Sequence, residues 1–201
     1  MTRKEHRPGG DPGRRGELLD GGSLATQYTA GTDIAAEHQT AERAGLPFLA
    51  AILDSSAAHV VSVLNVLTPD TVALLDKPCA TILDVAHDLS RRGIDPTPTL
   101  VAAEALRAGV FVGHAGDLAR TRLTDAVTTR AQATALPLYA ADLAATVWRV
   151  RMMAAGDAIR GWAVAGAEDD AWAGFCAAGV ELRRLKGIVD ELRTHIGQVA
   201  S

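Results

Sequence analysis

Residues 136–197, LPLYAADLAATVWRVRMMAAGDAIRGWAVA followed by GAEDDAWAGFCAAGVELRRLKGIVDELRTHIG, hold the pattern that decides the fold. Leu136, Ala140, Leu143, Val147, Val150 and Ala154 recur at spacings of 4, 3, 4, 3 and 4. That alternation keeps one stripe of a helix against a second helix. The second helix follows a polar break at Gly166-Ala167-Glu168-Asp169-Asp170. There Ala171, Phe175, Ala178, Leu182, Leu185, Val189, Leu192 and Ile196 carry the same alternation onward. Two matching seams joined by a short loop predict an antiparallel helical hairpin, with arms about 35 to 40 Å long at 1.5 Å per residue.

The first arm carries a second apolar stripe, Ala141, Ala145, Trp148, Met152, Ala155 and Ile159, one position past the seam. One facing helix cannot cover both stripes. The surplus needs either the preceding part of the chain or another copy, and the expectation is self-association through the hairpin, as a homodimer or a higher ring-type oligomer. The residues assigned to seam and dimerisation are Leu143, Val147, Trp148, Val150, Met152, Phe175, Leu182, Leu185, Val189 and Leu192. The plainer reading packs the stripe on the chain's own globule. Arg149, Arg151 and Arg160 in the first arm, with Arg183, Arg184 and Lys186 in the second, place basic charge on the outer face. A solvated face is the default. The sharper reading is a docking surface for an acidic partner through Arg149, Arg151, Arg183 and Arg184. Glu168, Asp169 and Asp170 open the second arm, where the helix dipole favours negative charge, so they are read as a cap and not as a metal site.

Outward from the hairpin, residues 40–130 read as a small multi-helix globule. Leu46, Leu49, Ile52 and Leu53 share one face of a first helix closed by Asp54-Ser55-Ser56, and Val60, Val61, Leu64 and Leu67 mark a second. Thr68-Pro69 and Thr97-Pro98 each have the form of a cap followed by proline at the first helical position, where a missing N–H is harmless. Between them a helix starts near Pro78, turns Cys79, Ile82, Ala86 and Leu89 inward, and ends at Arg91-Arg92-Gly93. His114 to Val127 supplies one more amphipathic segment. With no run of strict two-residue alternation, the fold class is all-α: a small globule followed by a long antiparallel hairpin.

The chain has 201 residues, 48% hydrophobic, 22% charged and 4% aromatic, which suits one globular unit that needs neither metal nor disulfides for its core. Cys79 and Cys176 are far apart and form no CxxC pair; both are expected to be small buried hydrophobes. A net charge of −4 argues against a protein that mainly coats a phosphate backbone. The apolar runs are too short to span a membrane and the N-terminus is not signal-like, so a cytoplasmic, nucleoid-associated protein is expected. Residues 1–39 are glycine-rich with mixed charge and read as a disordered arm. Its Arg3, Lys4, Arg7, Arg14 and Arg15 are nearly cancelled by Glu5, Asp11, Glu17 and Asp20. No G-x-x-x-x-G-K-[ST], H-E-x-x-H or G-x-S-x-G motif occurs. Asp84-x-x-His87 lacks the matching Glu-x-x-His partners of a di-metal bundle and reads as an exposed polar pair. No catalytic, cofactor or metal residues are assigned.

Four stretches together resemble the N-terminal domain of the DnaB-type replicative helicases, over roughly residues 40 to 196. Ala41-Glu42-Arg43 leading to Leu49-x-x-Ile52-Leu53-Asp54 looks like that family's opening helix, although Gly45 and Pro47 predict a later start or a kink. Ile82 to Leu89 ending at Gly93-Ile94-Asp95, then Thr99-Leu100-Val101 with Glu104, Leu106 and Gly109, is similar to its middle segment. Tyr139-Ala140 with Leu143 and Arg151 looks like the start of its long helix, and the hairpin matches its closing element. The family's RecA-like motor has no counterpart in these residues. The resemblance therefore implies a non-catalytic docking and oligomerising module of DNA replication, with replicative helicase or primase as partner and DNA bound weakly or indirectly. The alternative from another class is an all-helical DNA-binding regulator using the basic arm and the Arg-bearing hairpin. An enzyme with an unrecognised pocket is the third reading.

Overall fold

The computed structural model describes residues 44–199, all within one compact unit. The arm read at residues 1–39, with its basic side chains, lies outside the described residues. Among the described residues there is no strand, and the fold is all-α. Helix α1 covers 44–53, α2 Ala57–Leu64, α3 Pro69–Ala73, α4 Lys77–Arg91, α5 Pro98–Arg107 and α6 Gly113–Thr128. A 3-10 turn at Ala133–Ala135 then feeds α7, Leu136–Ala165, and α8, Glu168–Val199.

The turn chemistry accounts for most of these boundaries. Thr68 caps α3, its hydroxyl accepting from the Thr71 N–H at 3.4 Å, with Pro69 following. Gly93 and Gly109 adopt φ of +77° and +71° just past α4 and α5, where left-handed backbone favours glycine. Gly45 and Pro47 lie inside the helical backbone of α1, and the stretch at 41–43 from which a later start would be judged lies outside the described residues. Two caps differ from the simple reading. α4 begins at Asp76, whose Oδ1 accepts from the Cys79 N–H at 2.9 Å. α2 is capped from a distance: Ser56 makes no side-chain bond, and Asp95 Oδ1 accepts the Ala57 N–H at 2.7 Å. Asp95 follows α4, so one carboxylate ties the end of that helix to the start of another.

α4 is the centre of the globule, packed against α2, α3, α5 and α6, with Cys79, Ile82, Leu83, Ala86 and Leu89 buried. Its cap also carries an ion pair. Arg122 Nε, from α6, lies 3.0 Å from Asp76 Oδ2 with the carboxylate almost fully enclosed. Gly45 leaves the room for it, since an added Cβ there would stand 3.3 Å from the same oxygen. Burial, then the Asp76 charge, push the Cys79 thiol far up, so Cys79 is an inert core group as expected. Between α5 and α6 the turn closes on Gly116, where a Cβ would fall 2.3 Å from the Phe111 carbonyl carbon. Arg120 holds its guanidinium 5.2 Å from the Phe111 ring centroid.

α7 and α8 pack along each other as the predicted antiparallel hairpin, and α7 also rests on α2 and α3. At 1.5 Å per residue the arms run about 45 and 48 Å, longer than the seam spacing alone implied. Helical backbone continues past Ala154, where the large apolar seam residues of α7 stop, to Ala165. Leu136, Ala140, Leu143 and Val147 of α7 join Leu185, Val189 and Leu192 of α8 in the same hydrophobic core as the globule. The hairpin is thus rooted in the globule by its base.

Candidate docking surface on the hairpin

Beyond the base the packing changes. Among the described side chains from 148 to 184, none is buried. Among the described residues this leaves about 27 Å of two-helix hairpin with only the facing arm for cover. Three features hold the arms together there. Arg151 donates to Glu181 through Nε at 3.1 Å and Nη2 at 2.9 Å, a two-bond clamp across the hairpin. The Trp162 ring lies against Gly174, so closely that an added Cβ would approach it to 2.7 Å. Between them Val150 and Leu182 are half-buried, and the small residues Ala154, Ala158, Ala177 and Ala178 surround a cavity of about 390 Å³. A second cavity, about 730 Å³, opens at the tip between Ile159, Trp162, Trp172 and Phe175, with Glu168 and Asp169 on its rim.

The predicted assembly residues separate into two groups. Leu143, Val147, Leu185, Val189 and Leu192 are buried inside the chain and serve its own core. Trp148, Val150 and Leu182 are half-buried, and Met152 and Phe175 are exposed. The second stripe divides in the same way. Ala141 and Ala145 are buried and Trp148 packs on the core, while Met152 stands free of it. The plainer reading, packing on the globule, therefore accounts for the base of the stripe, while farther out Met152 is exposed and Ala155 and Ile159 are half-buried.

The basic residues are fewer in effect than the sequence count. Arg151 is clamped to Glu181, Arg160 pairs with Asp157, and Lys186 pairs with Asp190. Arg149, Arg183 and Arg184 are exposed and make no ion pair among the described residues. Glu168, Asp169 and Asp170 occupy the first turn of α8, as the capping reading required. Cys176, expected to be buried, is exposed; the outward side of α8 carries no globule at that level. Sequence reasoning missed Glu181, Trp162 and Gly174. The signal was available for the first: Arg151 and Glu181 stand nearly the same number of residues from the Gly166 turn, which an antiparallel hairpin brings level.

Away from the hairpin, Asp84 is exposed as predicted, but His87 is half-buried, with Nε2 enclosed and without a hydrogen-bond partner among the described residues. Burial and then Arg91 hold the His87 imidazole below its ordinary pKa, and burial, Asp70 and Asp88 hold Asp84 above its own. Between α4 and α5, Glu104 bridges Arg92 and Arg107. The Arg107 hydrogen bond chiefly draws the Glu104 carboxyl down to about 2. Among the described residues no three His, Cys, Asp or Glu side chains converge as a metal site. No helix there is long and apolar enough to cross a membrane. Comparison with protein-family models, curated proteins and solved structures gave no match.

Proposed function

We propose that this chain is a non-catalytic docking and oligomerisation module of DNA replication, binding replicative helicase or primase and modulating their assembly. The observation that supports a docking role is the stretch from 148 to 184, about 27 Å of hairpin without a buried side chain. It carries exposed Met152, Trp172, Phe175 and Val180 beside Arg149, Arg183 and Arg184, which form no ion pair among the described residues. Helices rooted in a core that expose aromatic, methionine and arginine side chains along their free length have the composition enriched at protein interfaces. The choice of helicase or primase rests on the sequence resemblance, which also favours a cytoplasmic, nucleoid-associated location.

The test is direct binding of the full chain to purified replicative helicase and to primase from the same organism. It is run beside a Met152→Asp/Phe175→Asp variant, both positions being exposed. Binding lost in the variant supports the reading. If neither protein binds while duplex DNA does, with affinity falling steeply in salt, the DNA-binding regulator takes its place.

A further inference from the structure

We infer that the outward face of α8 pairs with the same face of a second copy, antiparallel, about a two-fold axis passing at Cys176. This deepens the oligomerisation half of the proposed function and does not depend on its replication half. At 100° per residue, Glu168, Asp169, Trp172, Ala173, Cys176, Gly179, Val180, Arg183, Arg184 and Gly187 fall on the side of α8 opposite its seam residues Leu185, Val189 and Leu192. Every one of these outward positions is exposed, with Trp172 at 67% and Val180 at 69%. Among the described residues α7 occupies the other side and leaves most of this face open; at the tip end Glu168, Asp169 and Trp172 border the cavity shared with Ile159 and Trp162 of α7, and the Trp172 ring stacks on Phe175 at 5.7 Å between centroids.

The order of residues along this face selects the occupant. Around Cys176 the centre is uncharged: Trp172, Ala173, Gly179 and Val180. Acids stand seven and eight positions before it, Asp169 and Glu168, and bases seven and eight positions after it, Arg183 and Arg184. None of these four forms an ion pair among the described residues. A face whose charge inverts about its own midpoint is complementary to itself when turned end for end. In an antiparallel two-fold pair each acidic end meets a basic end, whereas a parallel pair would set like against like. The same operation opposes Asp169 to the partner's Arg183 and places Ala173 next to the partner's Val180. It also lays Trp172 over the partner's Gly179, whose missing side chain admits the indole. The overlap, residues 168–184, is about 25 Å long, and each globule stands at its own far end, clear of the other. A contact of this size belongs to the smaller interfaces, so the pair forms in a concentration- and salt-dependent equilibrium.

Sedimentation of the full chain tests this. The expected result is mass rising with concentration from 21.0 kDa toward twice that value, and less so in high salt. Asp169→Arg and Arg183→Asp should each weaken pairing at least tenfold, and the double charge exchange should restore it. Mild oxidation should link two copies through Cys176, the chain's only exposed cysteine. With Cys176→Ala in place, a mixture of Ala173→Cys and Val180→Cys chains should cross-link while each alone does not. A parallel pair would give the reverse. A chain that stays at 21.0 kDa at the highest attainable concentration, or a double exchange that fails to restore pairing, overturns the inference. All these substitutions are on exposed positions, so unchanged far-ultraviolet circular dichroism separates loss of pairing from loss of fold. Pairing without helicase or primase binding would leave this inference standing and remove the replication half of the proposed function.

Discussion

Replacing Asp76 tests how the globule is pinned. Its Oδ1 caps α4 through the Cys79 N–H, and its Oδ2 meets Arg122 Nε at 3.0 Å, with the carboxylate side chain 1% exposed and the guanidinium 19%. Asp76→Ala removes both roles. Loss of an N-cap costs about 1 kcal/mol. Breaking a buried pair and stranding the other charge costs about 3 to 5 kcal/mol, reduced here because Arg122 keeps some access to water. A total of about 3 to 4 kcal/mol follows, a large share of a domain stability of about 5 to 15 kcal/mol. Asp76→Asn separates the contributions, since its amide oxygen still accepts from Cys79 and only the charge is lost; it should fall about 1 kcal/mol short of the alanine cost. The assay is urea unfolding with the slope m held equal across variants, supported by a melting temperature lowered by about 6 to 16 °C for Asp76→Ala. A cost below about 1 kcal/mol for Asp76→Ala would refute the claim that this carboxylate joins α4 to α6.

The two ends of the hairpin should respond oppositely to truncation. Leu192→Ala, at 2% exposure, should cost about 2 to 5 kcal/mol, and Trp172→Ala about 1 kcal/mol or less, both read by urea unfolding of dilute chain. Gly116→Ala should destabilise by at least about 1 to 3 kcal/mol, because its Cβ would overlap Phe111 backbone that cannot swing aside; equal stability of the variant would contradict the closeness of the α5–α6 turn. His87, held below its ordinary pKa in the fold, protonates more readily when unfolded. Its contribution is full above the unfolded value near 6.5 and is lost as pH falls from there toward the lower folded value. His87→Gln should flatten that part of the stability–pH curve while Asp84, Asp88 and Arg91 remain. Gly174→Ala should force the Trp162 ring off α8 and shift its fluorescence, with little change in the globule.

Elements whose ends are fixed by local chemistry were legible in the sequence. Thr68-Pro69, Gly93 and the Glu168-Asp169-Asp170 turn each act within about four residues, so their type and spacing suffice to place α3, the end of α4 and the start of α8. The seam was legible for a related reason: a stripe at spacings of 4 and 3 states that a helix is opposed, whatever the partner. What the stripe does not state is how far burial extends along it. Val147 and Ala154 stand on one stripe, yet Val147 is buried in the core shared with the globule and Ala154 is exposed. That difference comes from where the globule stops, a property of six other helices. Asp95 capping α2 and Arg122 reaching Asp76 were hidden likewise, because each spans dozens of residues and depends on the packing of α4 against its neighbours.

The division of the hairpin at Trp148 and Leu185 bears on why the arms are so long. A two-helix contact built largely of alanine and glycine, with Val150, Trp162 and Leu182 only half-buried, gains little from burial, and helices in proteins draw most of their stability from tertiary packing of an apolar face. The tip is nonetheless helical over eighteen residues of α7, 148–165. Its backbone continues from a base already fixed by Leu143, Val147, Leu185, Val189 and Leu192, so no new nucleation is needed, and Arg151–Glu181 and Trp162–Gly174 keep the arms in register. Fold stability therefore requires the base and asks little of the tip. That freedom explains how this half can carry exposed Trp172 and Val180 on one face with acids and bases that form no ion pair among the described residues: side chains there are not constrained by the chain's own core. The two hairpin arms thus divide along their length into a half that specifies the fold and a half free to specify a partner, and substitutions in the second half should change association without changing the melting temperature of the dilute monomer.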